Sequence, residues 1–123
     1  RFGFPPGGVF QAFGMAEVAI AGSFPKRGRG LRTDTVDRIV LETQRVAKPI
    51  EVADPDEYAI LARELPLLGT AVPGLEMKVV NPDTFENLPE RHVGELLLRG
   101  TSVTPGYYKR EDAPAALFDD GWL

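Results

Sequence analysis

Residues 74–100 read GLEMKVVNPDTFENLPERHVGELLLRG. Leu75, Met77 and Val79 alternate with Glu76 and Lys78, and Val80 follows, which is the period-2 pattern of a half-buried strand. Asn81-Pro82-Asp83 marks a turn, since proline fixes φ and lacks an N–H while Asn and Asp bond their own backbone. Val93 to Arg99 supply a second strand with Gly94 near its start and Gly100 after its end. The stretch predicts an antiparallel pair over 75–80 and 93–99, joined by a long loop over 81–92.

Moving upstream, Val72-Pro73-Gly74 is a turn that feeds the first strand. Asp54-Pro55-Asp56-Glu57 is a helix start, with an Asp cap, proline at the first position and acids in the first turn. Tyr58 to Arg63 continue that helix for about two turns before Pro66 stops it. Val36 to Val46 (VDRIVLETQRV) alternates imperfectly, but its β-branched residues favour a strand or hairpin near 35–41 and 45–47. Lys26 to Arg32 (KRGRGLR) reads as an exposed basic loop. Pro5-Pro6-Gly7-Gly8 breaks the chain, Val9 to Phe13 alternates well enough for a short buried strand, and a short helix begins near Glu17. Downstream, Pro105-Gly106 is a turn and residues 110–118 form a short helix closed by Asp119-Asp120-Gly121. The fold class is α+β and strand-rich, with short helices.

The chain has 13 glycines and 11 prolines in 123 residues, which favours turns and short elements over long helices. Hydrophobic residues are 43% and charged residues 26%, so the chain can build one ordinary core and disorder is excluded as its main state. A net charge of −4 leaves no basic field for nucleic acid. The absence of cysteine excludes disulfides, thiol catalysis and thiolate-bound zinc, and one histidine excludes a multi-histidine metal site. Apolar runs are too short to span a membrane, and no basic-then-apolar leader opens the chain, so the expected location is cytoplasmic.

Three stretches carry chemistry-bearing residues. Phe13-Gly14-Met15-Ala16-Glu17 joins a ring that can stack on a purine, a glycine that admits a ligand to the backbone, and a carboxylate suited to Mg²⁺. The plain alternative is a core Phe, a turn Gly and a solvated Glu. Residues 93–100 with the following Gly106-Tyr107 turn need nothing beyond strand and turn roles. The basic loop 26–32 can hold a phosphate or an acidic partner, or be merely solvated; it lacks the Gly-Lys-Ser/Thr ending of a P-loop. His92 sits in a polar loop and joins no Ser/His/Asp set.

Order and spacing together go further. FGMAE, then GTAVPGLEMKVVNPDT, then VGELLLRGTSVTPGYYKREDAPAALFDDGWL resembles the adenylate-forming enzymes, a superfamily of acyl-CoA synthetases, fatty acyl-AMP ligases and peptide-synthetase adenylation domains. Gly94-Glu95-Leu96, Gly100, Val103, Gly106-Tyr107 and Asp120-Gly121-Trp122 fall in the family's order. The resemblance implies an ATP-dependent, Mg²⁺-assisted activation of a fatty acid as acyl-AMP, then transfer to CoA or to the phosphopantetheine of a carrier protein. It implies that Phe13 packs on adenine, that Gly14, Met15 and Ala16 line the adenylate pocket, and that Glu17 binds Mg²⁺. Many members carry Thr where this chain has Ala16, and a methyl cannot donate to phosphate; fatty acyl-AMP ligases often have Ala there.

The resemblance also implies a domain plan. Residues 1–22 would end the preceding α/β sheet subdomain and 23–123 would form a distorted, barrel-like third subdomain of a partial N-terminal domain. Between Glu17 and Gly69 lie 51 residues, more than acyl-CoA synthetases usually have, so 28–58 reads as an insertion of the fatty acyl-AMP ligase kind. That favours a fatty acyl-AMP ligase-like parent over a long-chain fatty acid–CoA ligase. The chain begins Arg1-Phe2-Gly3 with no initiator Met and ends on the apolar Gly121-Trp122-Leu123, ends expected of a piece cut from a longer protein. Such a piece, lacking the family's phosphate loop, ribose aspartate and C-terminal lysine domain, is expected to be inactive alone and to self-associate through open strand edges such as Val9–Phe13. The competing expectation is a stand-alone binding module derived from an adenylation subdomain.

Overall fold

A computed structural model describes residues 3–109 and 121–123. Its elements are a 3₁₀ turn (Ala16–Val18), β1 (Ser23–Phe24), β2 (Thr33–Asp37), α1 (Arg38–Gln44), α2 (Pro55–Leu61), β3 (Ala62–Pro66), β4 (Thr70–Ala71), β5 (Leu75–Val80) and β6 (Glu95–Gly100). The strands form three antiparallel pairs, β1 with β4, β2 with β3 and β5 with β6. The result is α+β and strand-rich, with no closed barrel among the described residues.

The β5–β6 pair is the organising element, and it matches the pattern of residues 74–100. Its register sets Met77 opposite Leu98 and Glu76 opposite Arg99, so one face is apolar and the other charged. On the apolar face Leu75 and Leu98 are buried and meet Val18, with Phe13, Met15, Val72, Met77 and Val103 packed around them. Each such buried side chain contributes about 1.5–3 kcal/mol over an exposed one. Loop 81–92 folds back over the far end, where Asn87 bridges Val80 and the Leu88 N–H bonds the Val79 carbonyl at 2.9 Å. On the outer flank of β6, Leu98 and Leu123 exchange both backbone hydrogen bonds, at 2.8 and 2.9 Å.

That exchange carries Trp122 onto the charged face. Lys78 Nζ lies 4.2 Å and Arg99 Cζ 4.5 Å from the Trp122 ring centroid, close enough for cation–π attraction. Arg99 also grips Glu76 with two prongs, Nη2 to Oε2 at 2.8 Å and Nε to Oε1 at 3.3 Å. These bonds hold the Glu76 carboxyl below its ordinary value of 4.5. Because the folded pKa is the lower one, the stabilisation is complete above 4.5 and fades as pH falls through the folded value. Glu76→Gln is therefore expected to lower the melting temperature at about pH 7, with the gap to the unaltered chain narrowing as the pH is taken below 4.5 and through the lowered folded value. A gap that stays the same size as the pH falls would refute the ion-pair account.

The helix α2 forms as expected, with Asp54 Oδ1 accepting from the backbone N–H groups of Asp56 and Glu57 and proline at its start. It ends at Leu61, not Arg63, because Ala62 to Pro66 are taken into β3. Their ladder runs from Thr33 opposite Pro66 to Asp37 opposite Ala62, which places Pro66 at a strand end where its missing N–H is tolerated.

Two expectations are corrected. The stretch 35–41 is only half strand, since β2 stops at Asp37 and residues 38–44 are α1. The Asp37 carboxylate accepts from the Val40 N–H at 3.0 Å, and this cap turns a β-branched run helical. Arg45 then closes α1 in the left-handed region, at φ 55°. Residues 45–47 pair with 91–93 and not with β2: Val46 bridges His92, and the Ala47 N–H bonds the Arg91 carbonyl at 2.7 Å. Second, Val9–Phe13 is not a strand. Only Phe13 bridges, to Ser23, while Val9 and Phe10 are 54% and 44% exposed, so the open strand edge expected there is not formed. The helix expected over 110–118 lies outside the described residues.

Candidate active site

Residues 13–23 form a closed loop on the apolar face of β5–β6. Phe13 and Ser23 anchor its base: the Phe13 N–H bonds the Ser23 carbonyl at 3.2 Å, and the Phe13 carbonyl accepts from Gly22 and Ser23. Inside the loop the Met15 carbonyl accepts from Val18 at 3.3 Å and Ile20 at 2.9 Å. That tight path puts Ala19 and Ile20 at φ 54° and 76°. It also explains two glycines. A Cβ on Gly14 would stand 1.7 Å from the Ile20 carbonyl oxygen, and one on Gly22 would stand 2.5 Å from the Phe13 ring.

Val18 is fully buried and pins the loop to the core, with Phe13 and Met15 half-buried beside it. Gly14 and Ala16 are exposed, and Glu17 is partly exposed. The five residues of the FGMAE stretch thus stand together, two packed inward and three on or near the surface. Phe13 has the core contacts of the plain reading, and its ring is held under Gly22.

Glu17 is held at both ends by the turn after β6. Its carbonyl accepts from the Thr104 N–H at 2.7 Å, and its Oε1 accepts from the Tyr107 hydroxyl at 2.7 Å. Tyr107 is presented by a turn in which the Thr104 hydroxyl donates to the Gly106 carbonyl at 3.0 Å. The Tyr107 hydroxyl lowers the Glu17 carboxyl below its ordinary 4.5, and Glu17 in turn raises the Tyr107 hydroxyl above 10.0. Glu17 is therefore a carboxylate at neutral pH, oriented but open to solvent.

One ionised, partly exposed carboxylate suits Mg²⁺, which is bound through one or two carboxylates while waters and substrate phosphates complete the octahedron. Among the described residues no group of three or more His, Cys, Asp or Glu side chains could hold a metal by protein ligands alone. The donor set fits a cation that arrives with a phosphate-bearing substrate.

Tyr107 is the residue that sequence reasoning passed over. Its turn is legible in Thr104-Pro105-Gly106, but 90 residues separate it from Glu17, and nothing in the local pattern shows where the hydroxyl points. His92 is exposed, its Nδ1 3.2 Å from the Glu90 carbonyl oxygen, in keeping with a plain surface residue.

The AMP-binding enzyme family description matches residues 2–108, and the chain belongs to that family. A protein of Mycobacterium tuberculosis named as a ligase is 34% identical over 98% of this chain and 21% of its own length. A medium-chain fatty acid–[acyl-carrier-protein] ligase of Moorena producens is 29% identical over 89% of this chain and 18% of its own. Among solved structures, one from work on the fatty acyl-adenylate ligases of E. coli and L. pneumophila superposes with a TM-score of 0.85 at 26% identity. It covers 98% of this chain and 21% of that one. The chain thus spans about a fifth of the length of the relatives it matches.

Proposed function

We propose that these residues belong to an ATP-dependent enzyme that activates a fatty acid as its acyl-adenylate and passes the acyl group to a thiol. The observation that carries the reading is the Phe13–Glu17 loop, with an ionised carboxylate braced by Tyr107 and Thr104, in a chain of the AMP-binding family. In the reaction a fatty acid carboxylate oxygen attacks the α-phosphorus of ATP. The P–O bond to pyrophosphate breaks, and acyl-AMP and pyrophosphate result. Bound Mg²⁺ offsets the negative charge on the phosphates. Glu17 would hold that ion, so its work is electrostatic and it moves no proton. Phe13, Gly14, Met15 and Ala16 would line the adenylate pocket, with Phe13 against the adenine.

The relatives named as fatty acyl-adenylate and acyl-carrier-protein ligases support a fatty acid substrate and a carrier-protein phosphopantetheine as acceptor, with CoA as the other thiol. ATP and these acceptors are cytoplasmic molecules, and we place the reaction there; among the described residues no helix is long and apolar enough to cross a membrane. Residues 28–58, which contain α1 and most of α2, read on this basis as the insertion of the fatty acyl-AMP ligase type.

ATP–pyrophosphate exchange tests the proposal. The full-length protein that contains these residues should exchange label only when a fatty acid is present. The 123-residue chain by itself should exchange none, because one aromatic and one acid cannot supply the preorganised phosphate site. Exchange that ignores fatty acids of every chain length would refute the substrate class, and exchange by the short chain would refute its inactivity.

A further inference from the structure

The basic loop 26–32 is not used by the adenylate reading, and the structure gives it a place. Beside the β1–β4 pair, between residues 24–32 and residues 67–70, lies a half-open cavity of about 330 Å³, within the size range of small-molecule sites. Its apolar lining includes Phe24, Leu67 and Leu68, and Lys26, Arg29 and Arg32 also line it. The wall is fixed by a close backbone approach, for a Cβ on Gly69 would stand 2.0 Å from the Phe24 carbonyl carbon. Ser23 braces the same wall, its hydroxyl donating to the Leu68 carbonyl at 2.8 Å.

Among the described residues no carboxylate lines this cavity. Among the described residues none of its three cations has an ion-pair partner: the ion pairs are Arg63 with Glu42, Arg91 with Asp34 and Arg99 with Glu76. Three like charges around one apolar hollow repel one another, and an anion relieves that repulsion. The two guanidinium groups can each offer paired N–H donors to phosphate oxygens, whereas an aliphatic chain is the natural partner of the leucines.

From this geometry we infer that the cavity is a binding site for a phosphate group carried on an uncharged, apolar arm. The phosphate meets Lys26, Arg29 and Arg32 at the rim, and the arm lies against Phe24, Leu67 and Leu68. The inference depends on the cavity and its charges, and not on the adenylation reaction.

Amide chemical shifts of the full chain, followed in titrations with hexyl phosphate, inorganic phosphate, hexanoate and hexanol, test it. Hexyl phosphate should shift the amides of Phe24, Leu68 and Gly69 saturably, at concentrations about tenfold below those needed for inorganic phosphate. Arg29→Ser and Arg32→Ser should each weaken hexyl phosphate about tenfold. Arg27→Ser should leave it unchanged, because Arg27 is in the same loop but does not line the cavity. All three side chains are exposed, so these variants retain the fold. Equal effects from Arg27→Ser would reduce the site to a diffuse field of the loop. Inorganic phosphate binding as tightly as hexyl phosphate would remove the arm. Hexanoate or hexanol binding as tightly would remove the phosphate, and the absence of saturable shifts at these amides would overturn the site itself.

Discussion

Replacing Glu17 by Gln in the full-length enzyme is expected to lower acyl-adenylate formation by about 10²- to 10³-fold, the range for losing a group that stabilises developing charge. Gln is the informative substitution. Its side-chain oxygen still accepts from the Tyr107 hydroxyl, and its backbone carbonyl still accepts from the Thr104 N–H, so both contacts that place the loop survive. What is lost is the full negative charge, the property a hard divalent cation requires. The loss should therefore appear first in the Mg²⁺ dependence: half-maximal activity moves to higher Mg²⁺, with partial recovery at saturation. Circular dichroism and melting temperature should stay with the unaltered protein. Activity unchanged at limiting Mg²⁺ would assign Glu17 a structural role only, and a lowered melting temperature would trace the loss to folding.

How far the sequence led is seen in particular residues. The β5–β6 pair was legible because one face is buried and the other wet, so the alternation of Leu75, Met77 and Val79 with Glu76 and Lys78 carries the register as well as the strand. The α2 start was legible because its signals are local: an Asp cap, a first-position proline and two acids all act within one turn. Residues 35–47 misled because two local signals compete there. The β-branched run of Val36, Ile39 and Val40 argues for strand, yet Asp37 stands one residue before a helix-compatible stretch and its carboxylate caps the Val40 N–H. Partner choice was beyond local reading altogether, since β2 pairs with residues 62–66 and Val46 with His92, contacts closed only in the folded chain.

The candidate site divides in the same way. Phe13 to Glu17 was found as a motif, and the structure keeps those residues adjacent with Glu17 ionised. The Tyr107 brace and the cavity beside the β1–β4 pair are properties of tertiary placement. The basic loop announced charge, but only the fold sets Leu67 and Leu68 beside it. One further consequence was visible in outline alone: Gly14 interrupts an apolar run, yet the reason it must be glycine lies six residues on, at Ile20.

Gly14→Ala is expected to be strongly damaging although it adds a single methyl group. The added methyl would stand 1.7 Å from the Ile20 carbonyl oxygen, about half of an ordinary non-bonded separation. A backbone atom is the obstacle, so no rotamer change relieves the clash. Ile20 has little room to retreat: its N–H is bonded to the Met15 carbonyl at 2.9 Å, and its φ of 76° is already in the left-handed region. The loop must therefore open, and opening it draws the fully buried Val18 from its contacts with Leu75 and Leu98. Lost burial and residual strain together are expected to cost about 2–4 kcal/mol, read as a lower midpoint in urea unfolding of the chain. Gly28→Ala is the matched control, because its Cβ meets no atom within 4 Å and it suffers only from its φ of +80°. That strain alone costs about 1–2 kcal/mol. In the full-length enzyme the displaced loop also carries Glu17 away from its Tyr107 brace, and a shift of about 1 Å at such a group can cost about 10²-fold in rate. Gly14→Ala should thus lose both stability and adenylation, whereas Glu17→Gln loses adenylation alone. If Gly14→Ala proves no less stable than Gly28→Ala, the closed loop is not what holds this carboxylate in place.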